Sequence, residues 1–198
     1  METSLSLRNT KHERGFSLIE TVVAISVMAI GLMSVAALMT RMLSTTTRSG
    51  YMSTAMQLAS EKLEDLNRYP FNDPNIAVTS GTTAGSLTSD VVTAVVTSDG
   101  ESHSVNYWDE VRFSATGGAV TEIKSKVVGG STQYDVSTHQ PDGTVTWQLG
   151  LTSAPSASNM IRYKRRWIVE KDQPTTGVRR ATVVVTLQNP VATPVKAQ

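Results

Sequence analysis

The stretch that decides the fold is GFSLIETVVAISVMAIGLMSVAALMT, which runs from Gly15 to Thr40. Residues 21–40 of it carry no charged side chain. At about 1.5 Å per residue, a helix over that range spans roughly 30 Å, the hydrocarbon thickness of a bilayer. No later stretch of the 198-residue chain has this character. The sequence therefore predicts one membrane-spanning helix, with a short polar head before it and a long polar body after it.

The head, residues 1–15, is basic on balance. Positive charge before an apolar run keeps that end in the cytoplasm, so we expect the body on the far side of the membrane. A cleaved secretory signal is the ordinary alternative, but its apolar core has about 7–15 residues and small residues follow it. Here the run is longer and Arg41 follows it, which fits a signal-anchor helix better. The charged residues of the head are Arg8, Lys11 and Arg14 against Glu2 and Glu13.

Glu20 places a carboxylate at the beginning of the apolar run. A charged side chain within a membrane helix costs about 2.5–3.5 kcal/mol on insertion scales, and such residues commonly mark function. Position alone leaves two interpretations open. Either Glu20 reaches the membrane interface and is simply solvated there, or it takes part in the function of the protein.

The junction as a whole, KHERGFSLIETVVAISVMAIGL at residues 11–32, resembles the class III signal of type IV prepilins and type II secretion pseudopilins. The resemblance implies that a membrane-embedded prepilin peptidase cuts after Gly15 and N-methylates the new amino terminus at Phe16. It also implies that Glu20 serves assembly. Cleavage would leave a cationic amine at Phe16, and burying an isolated charge in a filament is very costly. The Glu20 carboxylate of a neighbouring subunit would neutralise that amine and fix the axial register.

The apolar pattern continues beyond the membrane segment. A stripe at helical spacing predicts an amphipathic helix that packs on a sheet of the body, and Pro70 predicts its end near residue 68. Residues 44–50 are poor helix formers, and the sequence leaves open whether they form a flexible joint or are tolerated within a helix. The stripe consists of Met52, Met56, Ala59, Leu63 and Leu66.

Residues 55–71, AMQLASEKLEDLNRYPF, resemble PilV-type minor pilins and I-type pseudopilins.

The body, residues 70–198, is rich in Thr, Ser, Val and Gly. Period-two alternation predicts two half-buried antiparallel strands over residues 161–170 and 179–188, joined by a turn at 172–177. Shorter strands are expected within residues 90–97 and 143–149, and a loop over 79–89. The predicted fold class is α+β, a long N-terminal helix on an antiparallel sheet, as in the pilin fold. The predicted divisions are the leader 1–15, a membrane helix 16–43, an amphipathic half 44–69 and the body.

Composition excludes several chemistries. The chain has no cysteine, which removes disulfides, thiolate metal sites and thiol catalysis. Neither His103 nor His139 has a nucleophile motif nearby, so we expect no enzyme activity and no cofactor. The formal net charge of +1 gives no general reason to expect nucleic acid as a partner.

Two charged groups in the body were candidate sites. Basic residues on the last two strands could contact nucleic acid, but a solvated strand face is the favoured interpretation. Acidic residues could hold calcium, as in some pseudopilins, yet they lack EF-hand spacing, and we expect no metal. The basic set is Arg162, Lys164, Arg165, Arg166, Arg179 and Arg180, and the acidic set is Asp90, Asp99, Asp109, Glu110 and Asp142.

The resemblance implies a structural minor pilin of the PilV type. Its expected partners are the prepilin peptidase, the major pilin, other minor pilins, the membrane and an adhesin at the tip. Its expected location is the inner membrane, with the body in the periplasm, and then a filament. A type II secretion or competence pseudopilin is the alternative. A further alternative is a membrane-anchored adhesin or DNA-binding module that uses a prepilin signal only for export.

Overall fold

The computed structural model describes residues 17–79, 81–96, 100–114 and 118–189. The chain divides into two compact units between Ser49 and Gly50. One helix, α1, covers Leu18–Arg68 and contributes to both units. Its end at Arg68 agrees with the end predicted near residue 68, before Pro70.

The helix of the first unit buries none of its side chains. Every described residue from Ser17 to Gly50 is exposed, including large apolar side chains along the whole segment from Leu18 to Leu43. Helix α1 is long and apolar enough to cross a membrane. A helix that is apolar on all sides normally has an apolar environment around it. The helix is therefore suited to a bilayer or to a packed assembly.

Residues 44–50 are helical, although helix propensity is low there. The hydroxyls of Thr45, Thr46 and Thr47 each donate a hydrogen bond of 2.9 Å to the backbone carbonyl four residues earlier. Threonine normally disfavours helices because its hydroxyl competes for backbone groups. Here the same hydroxyls are satisfied within the helix, which explains how this segment is accommodated.

The second unit contains an antiparallel sheet and a separate hairpin, preceded by a short 3-10 helix at Pro74–Ile76. The strands are β1 Thr83–Gly85, β2 Val92–Val96, β3 Ser102–Asn106, β4 Trp108–Ser114, β5 Val120–Val128, β6 Ser131–His139, β7 Val145–Leu151, β8 Met160–Lys171 and β9 Arg179–Asn189. The sheet has the order β1-β8-β4-β5-β6-β7, and β9 pairs with β8. The hairpin is β2-β3.

The predicted terminal strand pair is confirmed. Strands β8 and β9 pair antiparallel, with Arg165 opposite Val185 and Trp167 opposite Val183. Tyr163, Arg165 and Trp167 are buried on one face of β8. The α+β class, a long helix packed with an antiparallel sheet, is confirmed with it. The predicted loop over 79–89 is partly wrong, since it contains β1.

Strand β1 pairs with β8 and ends at Gly85. Gly85 has φ +89°, and a Cβ at this position would lie 2.4 Å from the carbonyl oxygen of Trp167 and 2.7 Å from the ring of Tyr107. Only glycine combines this backbone conformation with so close an approach. Sequence alternation could not reveal a three-residue strand defined by such a contact.

The predicted apolar stripe of α1 is partly wrong. Leu66 is buried, but Met52 and Met56 are exposed, the latter by 73%. The buried positions are instead Leu58, Lys62 and Leu66. Leu58 packs with Val111 and Tyr163, and Leu66 packs in a cluster with Trp167 and Val169. The buried face of the helix therefore differs from the predicted stripe, and a lysine occupies its central position.

Candidate functional site

The N-terminal segment holds the predicted site residues. Gly15 and Phe16 lie outside the described residues, so cleavage and methylation there stay predictions. Glu20 lies in the first turn of α1 and is exposed. Leu18 and Ile19 beside it are exposed as well. Within the part of the chain that the structure describes, no ion pair is recorded for the Glu20 carboxylate.

The start of α1 gives Glu20 a local role that the sequence reasoning missed. The Ser17 hydroxyl accepts a hydrogen bond of 3.3 Å from the Glu20 backbone N–H. Ser17 and Glu20 have the spacing of a capping box, in which a serine caps the helix and the residue three positions on is acidic. A carboxylate in the first turn also interacts favourably with the helix dipole, by about 0.3–1 kcal/mol. The S-x-x-E pattern at residues 17–20 of the sequence is the feature that could have predicted this helix cap.

The body contains a buried ion-pair cluster between the helix and the sheet. Arg165 of β8 donates from Nε to Asp109 Oδ1 at 2.6 Å and from Nη2 to Asp109 Oδ2 at 3.0 Å. Lys62 of α1 donates to the same Asp109 Oδ2 at 3.1 Å, and its ammonium lies 4.0 Å from the ring centroid of Trp167. Arg165 and Asp109 are each 1% exposed. One carboxylate of β4 thus joins the helix to β8.

Charge balance accounts for the stability of this arrangement. Burial lowers the pKa of Arg165, but the charge and hydrogen bonds of Asp109 outweigh burial, so the pKa is raised above its ordinary value. Glu122 lies 3.5 Å from Arg165 Nη2 and adds a second negative charge. Two cations and two carboxylates are therefore matched, as a buried cluster requires.

A second cluster surrounds Glu110, which neighbours Asp109 and so points to the other face of β4. Arg162 donates to it at 2.6 and 2.9 Å, in the bidentate geometry typical of arginine and carboxylate. Arg112 donates to it at 2.6 Å and also bonds the carbonyl oxygen of Pro155. Burial raises the pKa of Glu110, but the two arginines outweigh burial and hold that pKa below its ordinary value.

Asp90 pairs with two further cations of β8. Lys164 donates to it at 2.6 Å and Arg166 at 2.8 Å, and Lys164 also lies 4.5 Å from the ring centroid of Trp108. Burial raises the pKa of Asp90, but the hydrogen bonds and charges of Lys164 and Arg166 outweigh it, and the pKa is lowered.

The predicted basic cluster is consequently not an open positive surface. In β9, Arg180 pairs with Glu170 at 2.7 Å, and Arg179 stacks on the ring of Phe71 and bonds its carbonyl oxygen. The expectation of a solvated strand face is wrong for Arg165, which is buried. All six basic residues have partners within the body, which leaves them poorly suited to contact phosphates.

Most side chains of the acidic set also bind other groups of the body. Asp90, Asp109 and Glu110 bind basic side chains, and Asp142 bonds the backbone and hydroxyl of Thr144. Asp99 lies outside the described residues. Over the described ranges, no three His, Asp or Glu side chains are grouped as a metal site would require. His139 lines a groove of about 360 Å³ together with Leu58, Phe113 and Glu122, among others.

Comparison with known proteins finds one family match, and it lies in the N-terminal segment. The family described as prokaryotic N-terminal methylation motif matches residues 10–36, which include Gly15, Phe16 and Glu20. This is a prepilin-type segment, the kind found in exported type IV pilin-like and pseudopilin-like proteins. No curated protein and no solved structure matches the chain.

Proposed function

We propose that this protein is a structural minor pilin of a type IV pilus, of the PilV type, without enzymatic activity. The observation that carries the proposal is the methylation motif at residues 10–36, which leads into a helix whose apolar side chains are all exposed from Leu18 to Leu43. A helix of this kind serves first as a membrane anchor. After processing it serves as the packed core of a filament.

Processing converts the anchor into an assembly element. In this proposal a prepilin peptidase cuts after Gly15 and methylates the amine of Phe16. The uncleaved chain has no amine at Phe16, so it cannot form the charge pair with Glu20 of a neighbour. Cleavage therefore controls entry into the filament. The body waits in the periplasm while the helix remains in the inner membrane.

In this proposal Glu20 has two roles that an experiment must distinguish. Its backbone N–H is capped by Ser17 within the chain, and its exposed carboxylate pairs with a neighbouring chain. The capping and dipole contributions act within one chain, whereas the pairing with Phe16 acts between chains. Glu20→Gln keeps the side-chain size and the capping-box residue type but removes the charge. It should leave cleavage intact and reduce incorporation into filaments.

The test compares full-length Gly15→Val, Glu20→Gln and wild type by immunoblot of whole membranes and of sheared surface filaments. Gly15→Val should accumulate as uncleaved precursor, because a larger side chain occupies the scissile position. Glu64→Gln is the matched control, since Glu64 is an exposed helix carboxylate that pairs with Arg68. Glu20→Gln at the wild-type level in filaments would refute the pairing role, and cleaved Gly15→Val would refute the processing site.

A type II secretion or competence pseudopilin remains the nearest alternative, because it shares the same N-terminal chemistry. The length of the body favours the pilus, since it is long for an I-type pseudopilin. The proposed partners are the major pilin and other minor pilins, with an adhesin at the tip. Direct DNA binding through the basic strands is disfavoured by their ion pairs.

A further inference from the structure

Strand β7, Val145–Leu151, is an edge strand with unusual properties. Among the described strands it pairs with β6 alone, and it contains neither a charged residue nor proline. Natural proteins normally protect an edge strand with lysine, proline or a covering element, because its free backbone groups pair readily with another strand. Residues 145–149 are all exposed, so no part of the described body covers this edge.

The exposed residues of β7 divide between its two faces. Val145, Trp147 and Leu149 alternate along one face, and Trp147 and Leu149 are each 68% exposed. Thr146 and Gln148 occupy the other face. Gly150 has φ +69°, and the pairing with β6 shifts register beside it, as at a β-bulge. The regular part of the edge is therefore the five residues 145–149, with Trp147 at its centre.

We infer that β7 binds β7 of a second copy of this chain, antiparallel and centred on Trp147. This register places Val145 opposite Leu149 of the partner, twice, and brings the two Trp147 rings together on the apolar face. Aromatic and β-branched cross-strand pairs of this kind stabilise antiparallel strands. On the other face Thr146 lies opposite Gln148 of the partner. The segment is thus self-complementary, as a two-fold interface requires, and no charge meets a like charge.

The chemistry of the edge selects an extended strand as occupant. Every second residue of an edge strand directs its N–H and C=O outward, and only another strand satisfies these groups in series. Pairing of five residues on each copy buries less surface than the roughly 800 Å² per partner of a standard interface. The pairing is therefore weak in dilute solution. Anchoring both copies in one membrane raises their effective concentration and makes such a weak contact effective.

This pairing does not rest on the proposed pilin function. Antiparallel self-pairing relates two copies by a two-fold axis, whereas filaments repeat head to tail. The contact therefore belongs to chains that are outside a filament. Because each copy uses the same edge, pairing ends at two copies.

The absence of native cysteine allows a direct test of the register with the full-length chain in membranes. Thr146→Cys and Gln148→Cys are made separately, with different epitope tags, and co-expressed before mild oxidation. In the inferred register residue 146 lies opposite residue 148 of the partner. Identical residues lie on a diagonal with Cα atoms about 7–8 Å apart, beyond the reach of a disulfide. We expect a mixed disulfide dimer, with weak products from each variant alone.

Adding Leu149→Lys to both cysteine chains should abolish the mixed dimer, since it places charges at both ends of the paired segment. Val128→Lys is the control, because Val128 is an exposed apolar strand residue at the end of β5. It should leave the mixed dimer unchanged. Absence of the mixed dimer, same-residue products of equal strength, or cross-linking to a different protein would each overturn the inference.

Discussion

The two parts of helix α1 use apolar and charged residues in opposite ways. Residues 18–49 are largely apolar and wholly exposed, whereas residues 50–68 are largely polar and bury Leu58, Lys62 and Leu66. Hydrophobicity alone therefore does not report burial along this chain. No described part of the chain covers the first part, which has the length and apolar character of a membrane-crossing helix. The second part has its partners in its own sheet, and one of its buried side chains is a lysine because Asp109 neutralises it.

The largest expected effect comes from removing the carboxylate that joins the two layers of the body. Asp109→Ala leaves Lys62 and Arg165 buried with one carboxylate fewer, and loss of one partner of a buried ion pair costs about 3–5 kcal/mol. Urea unfolding of the full chain in detergent, followed by tryptophan fluorescence, measures this loss. All three tryptophans lie in the body, so the signal reports its unfolding. A variant as stable as wild type would mean that the cluster is solvated.

A paired truncation tests which face of α1 is buried. Leu58→Ala should cost about 2–5 kcal/mol, as expected for a buried leucine. Met56→Ala, two residues away and exposed, should change the free energy of unfolding by less than about 0.5 kcal/mol. The half-buried Leu63 should fall between these values. The same urea melts provide the measurement, and equal losses for Met56 and Leu58 would restore the stripe predicted from the sequence.

Glu110 should make the body sensitive to acid. Its pKa is lowered in the folded protein, so its contribution to stability is complete above its ordinary pKa and is lost as pH falls through the lowered value. Glu110→Gln should destabilise the body at neutral pH by about 1–3 kcal/mol. It should also reduce the additional loss of stability that occurs as the pH falls below the ordinary pKa of glutamate, 4.5. An unchanged pH profile would show that other carboxylates govern acid unfolding.

The smallest effect is expected at the surface pair of Glu170, which is half-buried, and Arg180, which is exposed. Glu170→Gln should change the urea midpoint little, because an ion pair with one exposed partner is screened by water and salt. Repeating the melt in low salt provides the check. A loss as large as that of Asp109→Ala would indicate that this edge of the sheet is covered in solution.

The periodicity of apolar residues predicted those elements that depend on residues close together in the sequence. The extent of α1 followed from apolar periodicity and Pro70, and the β8-β9 hairpin followed from alternation on both sides of a turn. The charged clusters could not be predicted in this way. Lys62 and Arg165 meet Asp109 across separations of 47 and 56 residues, and periodicity does not report which distant charges will meet.

One signal for the buried cluster was nevertheless present. Arg165 alternates with Tyr163, Trp167 and Val169 on the apolar face of its strand, and an arginine in that position requires a buried carboxylate. The helix offers no comparable signal, since Lys62 lies in a run of charged residues that reads as solvated. At the N-terminal site, by contrast, the motif is evident in the sequence. The pairing that it implies, between Glu20 and the amine of Phe16, would form between two chains and so cannot be seen within one.

The triad of Lys62, Asp109 and Arg165 also sets an order of events during synthesis. Lys62 is synthesised first, Asp109 follows, and Arg165 is added only when most of the chain has been made. Until then Asp109 lacks its bidentate partner, and the sheet against which the helix packs is incomplete. Residues 50–68 of α1 therefore cannot complete their contacts with the sheet until β8 has been synthesised. Packing of the helix against the sheet is therefore completed only after the β8-β9 hairpin has formed.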